Sequence, residues 1–203
     1  RVTIRYIMKN LKIFDNFLEK KDFEFVQHHM MSSQFPWHKG VVTNEERDIP
    51  LCDELDNIQF CNWIYKMNEP GGPEIKIVSS IINHPILAMT SLVRVKANMT
   101  IRSPKIIEHG WHRDGYFSCN AAIYYVNTND GYTKFEDGTK VESVENRLIT
   151  FNTQDTHTGT NCTNQKVRCA LNFNYYSATK DELGELEKNE ASSEYAESKM
   201  YGF

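Results

Sequence analysis

The stretch Leu92-Val-Arg-Val-Lys-Ala-Asn-Met99 alternates apolar and polar side chains from Val93 onward, the period of a strand with two unlike faces. Further strand candidates follow at Ala121 to Val126, Lys134 to Phe135, Lys140 to Val144, Leu148 to Phe151 and Val167 to Tyr176, separated by turns rich in Asn, Asp, Gly and Thr. Short strands at close, turn-marked spacing predict a β-sandwich or a jelly-roll barrel. In the last of them Val167, Cys169, Leu171 and Phe173 share one face, and Arg168, Ala170, Asn172 and Asn174 share the other.

Upstream the pattern reads differently. Val2 to Ile7 alternates as a short strand does, and Ile13 to Leu18 reads as the approach to a helix. Asp22 is placed to cap a helix through Phe23, Phe25, Val26 and Met30. A second helix is expected from Leu55 to Met67, where Ile58, Cys61, Trp63, Ile64 and Tyr65 give a broad apolar face, until Pro70-Gly-Gly-Pro73 breaks it. The expectation is one α+β domain over 1–203: a helical support region at 1–91 packed on the outside, a jelly-roll core at 92–177, and a charged tail at 178–203.

Composition narrows the function classes. The 203 residues carry 23 Lys and Arg against 27 Asp and Glu, a formal net charge of −4, with no basic stripe for a phosphate backbone, so nucleic acid is not an expected partner. Apolar runs such as Ile86 to Met89 are too short to span a membrane, and no secretory segment opens the chain, so a soluble, cytoplasmic protein is expected. Five cysteines (Cys52, Cys61, Cys119, Cys162 and Cys169) without a Cys-x-x-Cys pair argue for reduced thiols. The glycosylation-type triplets at Asn98 and Asn161 are read as chance.

Chemistry concentrates in His109-Gly-Trp-His112-Arg-Asp114-Gly. On an extended segment residues two apart point the same way, so the His112 imidazole and the Asp114 carboxylate can meet one ion. Alone, this pair is explained as well by a polar surface loop. Leu148-Ile-Thr-Phe151 then reads as a buried strand delivering His157, and two histidines with one carboxylate form a set that leaves open positions on a metal. Iron and zinc are both compatible with such donors. Arg168 points to the face of its strand opposite the apolar one, where a buried guanidinium requires a carboxylate partner.

Taken with Tyr124-Tyr-Val-Asn127 and Asp130-Gly-Tyr-Thr133, these residues resemble the iron(II) and 2-oxoglutarate oxygenase superfamily in its prolyl-4-hydroxylase-like branch. Phe35-Pro-Trp37, Arg94-Val-Lys-Ala-Asn98 and Gly131-Tyr-Thr-Lys-Phe-Glu-Asp-Gly138 are further similar to oxygenases encoded by marine cyanobacterial phages. The resemblance covers residues 92 to 177 best and implies a double-stranded β-helix, cupin-like core. It implies a dioxygenase that hydroxylates a peptide or small-molecule substrate and releases succinate and CO2, in the cytoplasm of an infected bacterial host.

Carried over by position, His112, Asp114 and His157 become ligands of Fe(II), and Arg168 the anchor of the 2-oxoglutarate carboxylate. Tyr125 adds a hydroxyl to that carboxylate and Thr133 lines the co-substrate pocket, with ascorbate an optional reductant. Gly131-Tyr132 replaces the common Gly-Gly pair, and Arg168 stands where many prolyl hydroxylases have Lys, which puts a prolyl target in doubt. Asp114 distinguishes the chain from halogenases, which have a small residue there.

His109 competes as a ligand but lacks a carboxylate partner two residues away. His28, His29, His38 and His84 read as surface or core histidines, and Trp37 and Trp63 as core anchors. Trp111, Arg113, Tyr116 and Asp155 fit either the site's rim or ordinary packing. A non-catalytic jelly-roll that binds a ligand or a protein, and a zinc hydrolase, remain the rival readings.

Overall fold

The computed structural model describes residues 2–6, 10–40, 58–66, 68–115 and 117–178. The alternating stretch forms the longest strand, β6 (Met89–Ile101), and the carboxy-terminal run forms β12 (Val167–Ser177) beside it. Their register pairs Arg168 with Thr100, Asn172 with Lys96 and Asn174 with Arg94, so the polar alternates of both strands line up on one face.

Beyond β12 lie β7 (Asn120–Tyr125), β10 (Arg147–Asn152), β2 (Lys12–Asp15) and β1 (Thr3–Tyr6). Beyond β6 lie β4 (Gln59–Lys66) and β3 (His38–Gly40), with β5 (Glu69–Pro70) also paired to β4. These nine strands form one antiparallel sheet. A smaller sheet, in the order β11 (His157–Gly159), β8 (Tyr132–Phe135), β9 (Lys140–Glu142), faces it. The result is the jelly-roll architecture expected of the strand pattern.

The two faces of the large sheet do different work. On the outer face Val95, Ala97, Tyr124, Leu148, Cys169, Leu171 and Phe173 are buried together with Val26 and Met30 of α1 (Lys20–Met30), Phe17, Leu18, Ile64 and Ile81. Removing such side chains from water stabilises the fold by about 1.5–3 kcal/mol each. On the inner face a smaller apolar cluster of Ala121, Ile123, Tyr125, Ile149, Phe151 and Ala170 meets Phe135 and Val141 from the small sheet. The inner face of β6, by contrast, is Arg94, Lys96 and Asn98, which line a cavity.

The amino-terminal region departs from its expected helical character. The helix expected over Leu55 to Met67 is the strand β4 where the chain is described, since Cys61, Trp63, Ile64 and Tyr65 suit a pleated surface and pairing with β6 decides the outcome. Ile13 to Leu18 likewise begins as strand β2, held between β1 and β10. The helix after it, α1, starts at Lys20 with no side-chain cap, so Asp22 lies in its first turn and does not cap it. The other α-helix among the described residues, α2 (Ser79–Ile82), has four residues. Residues 41–57 and the charged tail from 179 lie outside the described residues. Cys61, Cys119, Cys162 and Cys169 are free thiols, and no helix among the described residues is long and apolar enough to cross a membrane.

Asn146 ties the amino-terminal segment to the barrel. It occupies the turn before β10 at φ 56°, a left-handed conformation that Asn tolerates better than most residues. Its buried amide donates Nδ2 to Leu18 O (2.9 Å), while Oδ1 accepts from Leu18 N (2.9 Å) and from the Tyr124 hydroxyl (3.1 Å). Asn146→Ala leaves these buried groups unpaired in a backbone conformation Ala disfavours. It is expected to cost about 2–4 kcal/mol and to lower Tm by roughly 5–10 °C in thermal unfolding. A shift below about 1 °C would show that the staple carries no weight.

Candidate metal centre and anion pocket

The segment from Glu108 to Asp114 runs antiparallel to residues 153–160. His112 N donates to His157 O and His157 N to His112 O, both at 3.0 Å, His109 N donates to Gly159 O at 3.0 Å, and Asp114 N to Thr153 O at 3.0 Å. This ladder sets the two imidazoles side by side, with ring centroids 4.6 Å apart. The ligand atoms of His112, Asp114 and His157 all lie within 4.8 Å of one another. His112 Nε2 is 4.0 Å from Asp114 Oδ1, and His157 Nε2 is 3.9 Å from Asp114 Oδ2.

Each imidazole is oriented from behind. His112 Nδ1 lies 3.0 Å from Gly110 O, and His157 Nδ1 lies 2.9 Å from Asp155 O. A carbonyl can only accept, so Nδ1 carries the proton and the Nε2 lone pair faces the centre, the tautomer a metal requires. Phe135 and Phe151 hold the His157 ring from the sides. Burial and the neighbouring His157 lower the His112 pKa, which favours the neutral, ligating form.

Burial pushes the Asp114 carboxyl up, but the neighbouring His157, Arg94 and His112 outweigh it and hold the group below its usual range. Oδ1 accepts from Arg94 Nη2 at 2.8 Å, whereas Oδ2 is buried with no hydrogen-bond partner. A buried carboxylate oxygen without a donor costs free energy unless a cation meets it. A divalent ion between the three residues would meet it, so the donor set fits a metal by chemistry as well as by position.

His112, Asp114 and His157 open onto a cavity of about 150 Å³ that Arg168, Thr133, Gly159 and Thr160 also line. Arg168 is 8% exposed. Its Nε donates to Ser143 Oγ (2.7 Å) and its Nη2 to Thr133 Oγ1 (3.3 Å), both neutral groups, and no carboxylate among the described residues pairs with it. Burial lowers the Arg168 pKa, yet a guanidinium keeps its proton. The Tyr125 hydroxyl donates to Thr133 Oγ1 (2.8 Å), and its ring lies 5.5 Å from Arg168 Cζ. Thr133 lines the cavity, and Tyr125 stands behind it.

Glycine is required at 131. A Cβ there would lie 2.3 Å from Asn161 O and 2.6 Å from Arg168 Cδ, so the arginine stem packs on the bare backbone.

The other sequence candidates sort by position. His109 is buried at the cavity wall and belongs to no three-ligand cluster among the described residues. Asp155 caps its own turn by accepting from Asn152 N, and Arg113 reaches Thr156 at 3.4 Å. Trp111 lies under Lys134, and Tyr116 lies outside the described residues. His84 stacks on Phe17, His29 bonds Phe25 O, and Trp37 packs on Phe35, all away from the centre. Three contributors were not singled out from the sequence: Arg94, Ser143 and Asn174, whose Nδ2 donates to Asp114 O at 3.1 Å. Alternation along β6 and β12 marks the faces of Arg94 and Asn174, but does not tell a cavity from solvent.

No family model matches the chain, and neither does any curated protein. Solved structures do. A prolyl hydroxylase from Trichoplax adhaerens, in complex with a hypoxia inducible factor oxygen degradation domain peptide fragment, aligns over 84% of each chain with a TM-score of 0.57 and 16% identity. A Pseudomonas putida prolyl-4-hydroxylase aligns over 83% of this chain and 93% of its own, with a TM-score of 0.51 and 13% identity. The epimerase SnoN, in complex with Fe3+, α-ketoglutarate and nogalamycin RO, aligns over 84% of this chain and 80% of its own, with a TM-score of 0.58 and 8% identity. The chain has the jelly-roll fold of the 2-oxoglutarate and iron(II) oxygenases.

Proposed function

We propose that the protein is an iron(II)- and 2-oxoglutarate-dependent dioxygenase that hydroxylates an organic substrate. The observation that carries this reading is the pairing, across one small cavity, of a metal-ready His112–Asp114–His157 set with the buried Arg168, whose partners are neutral hydroxyls. A metal alone accounts for the first feature. A dicarboxylate that reaches from the metal to Arg168 accounts for both, because a planar guanidinium grips a carboxylate through two parallel hydrogen bonds.

Iron(II) with 2-oxoglutarate and dioxygen supplies the oxidation: one oxygen atom enters a substrate C–H bond as hydroxyl, the other enters succinate, and CO2 leaves. The protein's part is positioning and shielding. His112 and His157 present Nε2 because Gly110 O and Asp155 O hold their Nδ1 protons. Arg94 holds Asp114 by Oδ1 and leaves Oδ2 for the metal. Thr133 and Tyr125 fix the Arg168 end. Burial raises the Tyr125 pKa, so its hydroxyl stays protonated and remains a donor. The neighbours whose descriptions include a peptide fragment or nogalamycin RO make a peptide and a small molecule equally consistent with the fold.

In the decisive experiment, protein loaded anaerobically with iron(II) and 2-oxoglutarate is exposed to oxygen and succinate is measured. Wild type should form succinate, and Asp114→Ala and His157→Ala should fall to background. Absence of 2-oxoglutarate binding to metal-loaded wild type would shift the reading to a non-catalytic ligand-binding barrel, and metal-dependent hydrolysis without 2-oxoglutarate to a zinc hydrolase.

Arg168→Ala removes a charge-assisted pair and should weaken 2-oxoglutarate binding by about ten- to a hundredfold, with metal affinity nearly unchanged. Unaltered 2-oxoglutarate affinity in calorimetry would remove Arg168 from its role. Gly131→Ala, which forces aside both the Arg168 stem and the Asn161 carbonyl, should raise the KM for 2-oxoglutarate in the same direction while its far-ultraviolet spectrum stays native. An unchanged KM would mean that the arginine adapts to the added methyl.

A further inference from the structure

The cavity carries more positive charge than a metal and a dicarboxylate use. Arg94, Lys96, Arg113 and Arg168 line it, with Asp114 as the carboxylate among the lining residues. A divalent ion, Asp114 and 2-oxoglutarate together come to one negative charge, against these four cations, of which Arg113 is exposed and donates to Thr156. Arg168 is turned to the co-substrate, and Arg94 holds Asp114 at 2.8 Å. The remaining charge has a definite location.

Lys96 is half-buried in the middle of β6, between Trp63 of β4 and Asn172 of β12. Its Nζ lies 5.2 Å from the centroid of the Trp63 ring, which also carries Lys66 Nζ at 4.6 Å. No carboxylate among the described residues forms an ion pair with it. Burial pulls its pKa down and Arg94 adds to the lowering, while Cys61 and Asp114 oppose it. Withdrawing such a group from water is costly unless a counter-charge arrives.

The neighbours of Lys96 on the same face have unused hydrogen-bonding atoms as well. Arg94 Nε is a buried donor with no acceptor, and Asn98 Oδ1 is a buried acceptor with no donor. All three side chains line the cavity that holds the metal ligands. Two cationic donors followed by one acceptor along a single strand form a receptor with a defined polarity.

We propose that Lys96, with Arg94 Nε beside it, binds a carboxylate of the primary substrate, which is a small organic acid, while Asn98 accepts a hydrogen bond from an N–H or O–H of the same molecule. Lys96 lines the same cavity as the candidate metal ligands, where a free acid brings its own carboxylate and a protein segment would have to insert an acidic side chain. The inference rests on the oxygenase reading for what becomes of the acid, but not for its binding.

The test is calorimetric titration of Mn(II)-loaded protein, saturated with 2-oxoglutarate under nitrogen. The titrants are the free amino acids and simple hydroxy acids, each compared with its own carboxamide. At least one acid should bind about tenfold or more tightly than its amide. That preference should disappear in Lys96→Gln and return in Lys96→Arg, with unfolding midpoints confirming that the variants fold. Acids and amides binding alike, or Lys96→Gln keeping the preference, would overturn the proposal. So would binding confined to acidic peptides. If 2-oxoglutarate itself fails to bind, the oxygenase reading falls; the same titrations without it still decide this inference, since a Lys96-dependent preference for acid over amide does not require the co-substrate.

Discussion

Two backbone hydrogen bonds between His112 and His157, each 3.0 Å, set the geometry on which the proposed chemistry depends. They join segments far apart in the chain, and formation of such a contact requires the loop between them to be ordered first. Strands β7 to β10 provide that order, because they lie between the two histidines in sequence and build parts of both sheets. The antiparallel register then places Asp114, two residues beyond His112, on the same side as both imidazoles. A slip of one residue would turn the side chains to the opposite face. The metal-ready cluster is therefore a product of strand register more than of loop conformation.

The same architecture explains how a cavity so rich in charge is tolerated. Arg94, Lys96, Asp114 and Arg168 would destabilise an ordinary core, since buried charges lose hydration that pairing only partly restores. Here they sit on one face of β6 and β12 or on the segment that crosses it, and the opposite face of those strands is continuous apolar core. Val95, Ala97, Leu171 and Phe173, fully buried against α1 and its neighbours, offset a polar inner face held for binding. Local violations of good packing placed at a site and compensated elsewhere are the usual mark of function.

Much of this was legible in the sequence, and where it was not the reason is physical. The alternation along Leu92 to Met99 and Val167 to Tyr176 announced the two central strands, because a strand with unlike faces imposes a period of two on its residues. His112, Asp114, His157 and Arg168 stood out because few chemistries need those side chains in that order. The stretch around Trp63 misled, since Ile58, Cys61, Trp63, Ile64 and Tyr65 satisfy a helical face nearly as well as a strand. Pairing with β6, which decides the matter, lies outside any local window. Asp22 reads as a cap because Asp favours caps, yet the helix starts two residues earlier, at Lys20. Arg94 and Ser143 stayed hidden for another reason: a single strand does not show whether its polar face meets water or a cavity.

That last ambiguity matters for how the barrel acquires a substrate. Arg168 and Lys96 are cations on neighbouring strands of one face, related by the β6–β12 register. Arg168 meets rigid hydroxyls from Thr133 and Ser143 and so presents a fixed fork, suited to a ligand that is always the same. Lys96 is a point charge on a flexible stem, its Nζ lying over the Trp63 ring, and suits a ligand whose length and shape differ. On the proposed reading the rigid anchor would take the co-substrate and the adaptable one the substrate, so that stiffness as well as charge would separate them. On that reading, exchanging Lys96 or Asn98 of β6 would change what is bound and leave His112, Asp114, His157 and Arg168 in place.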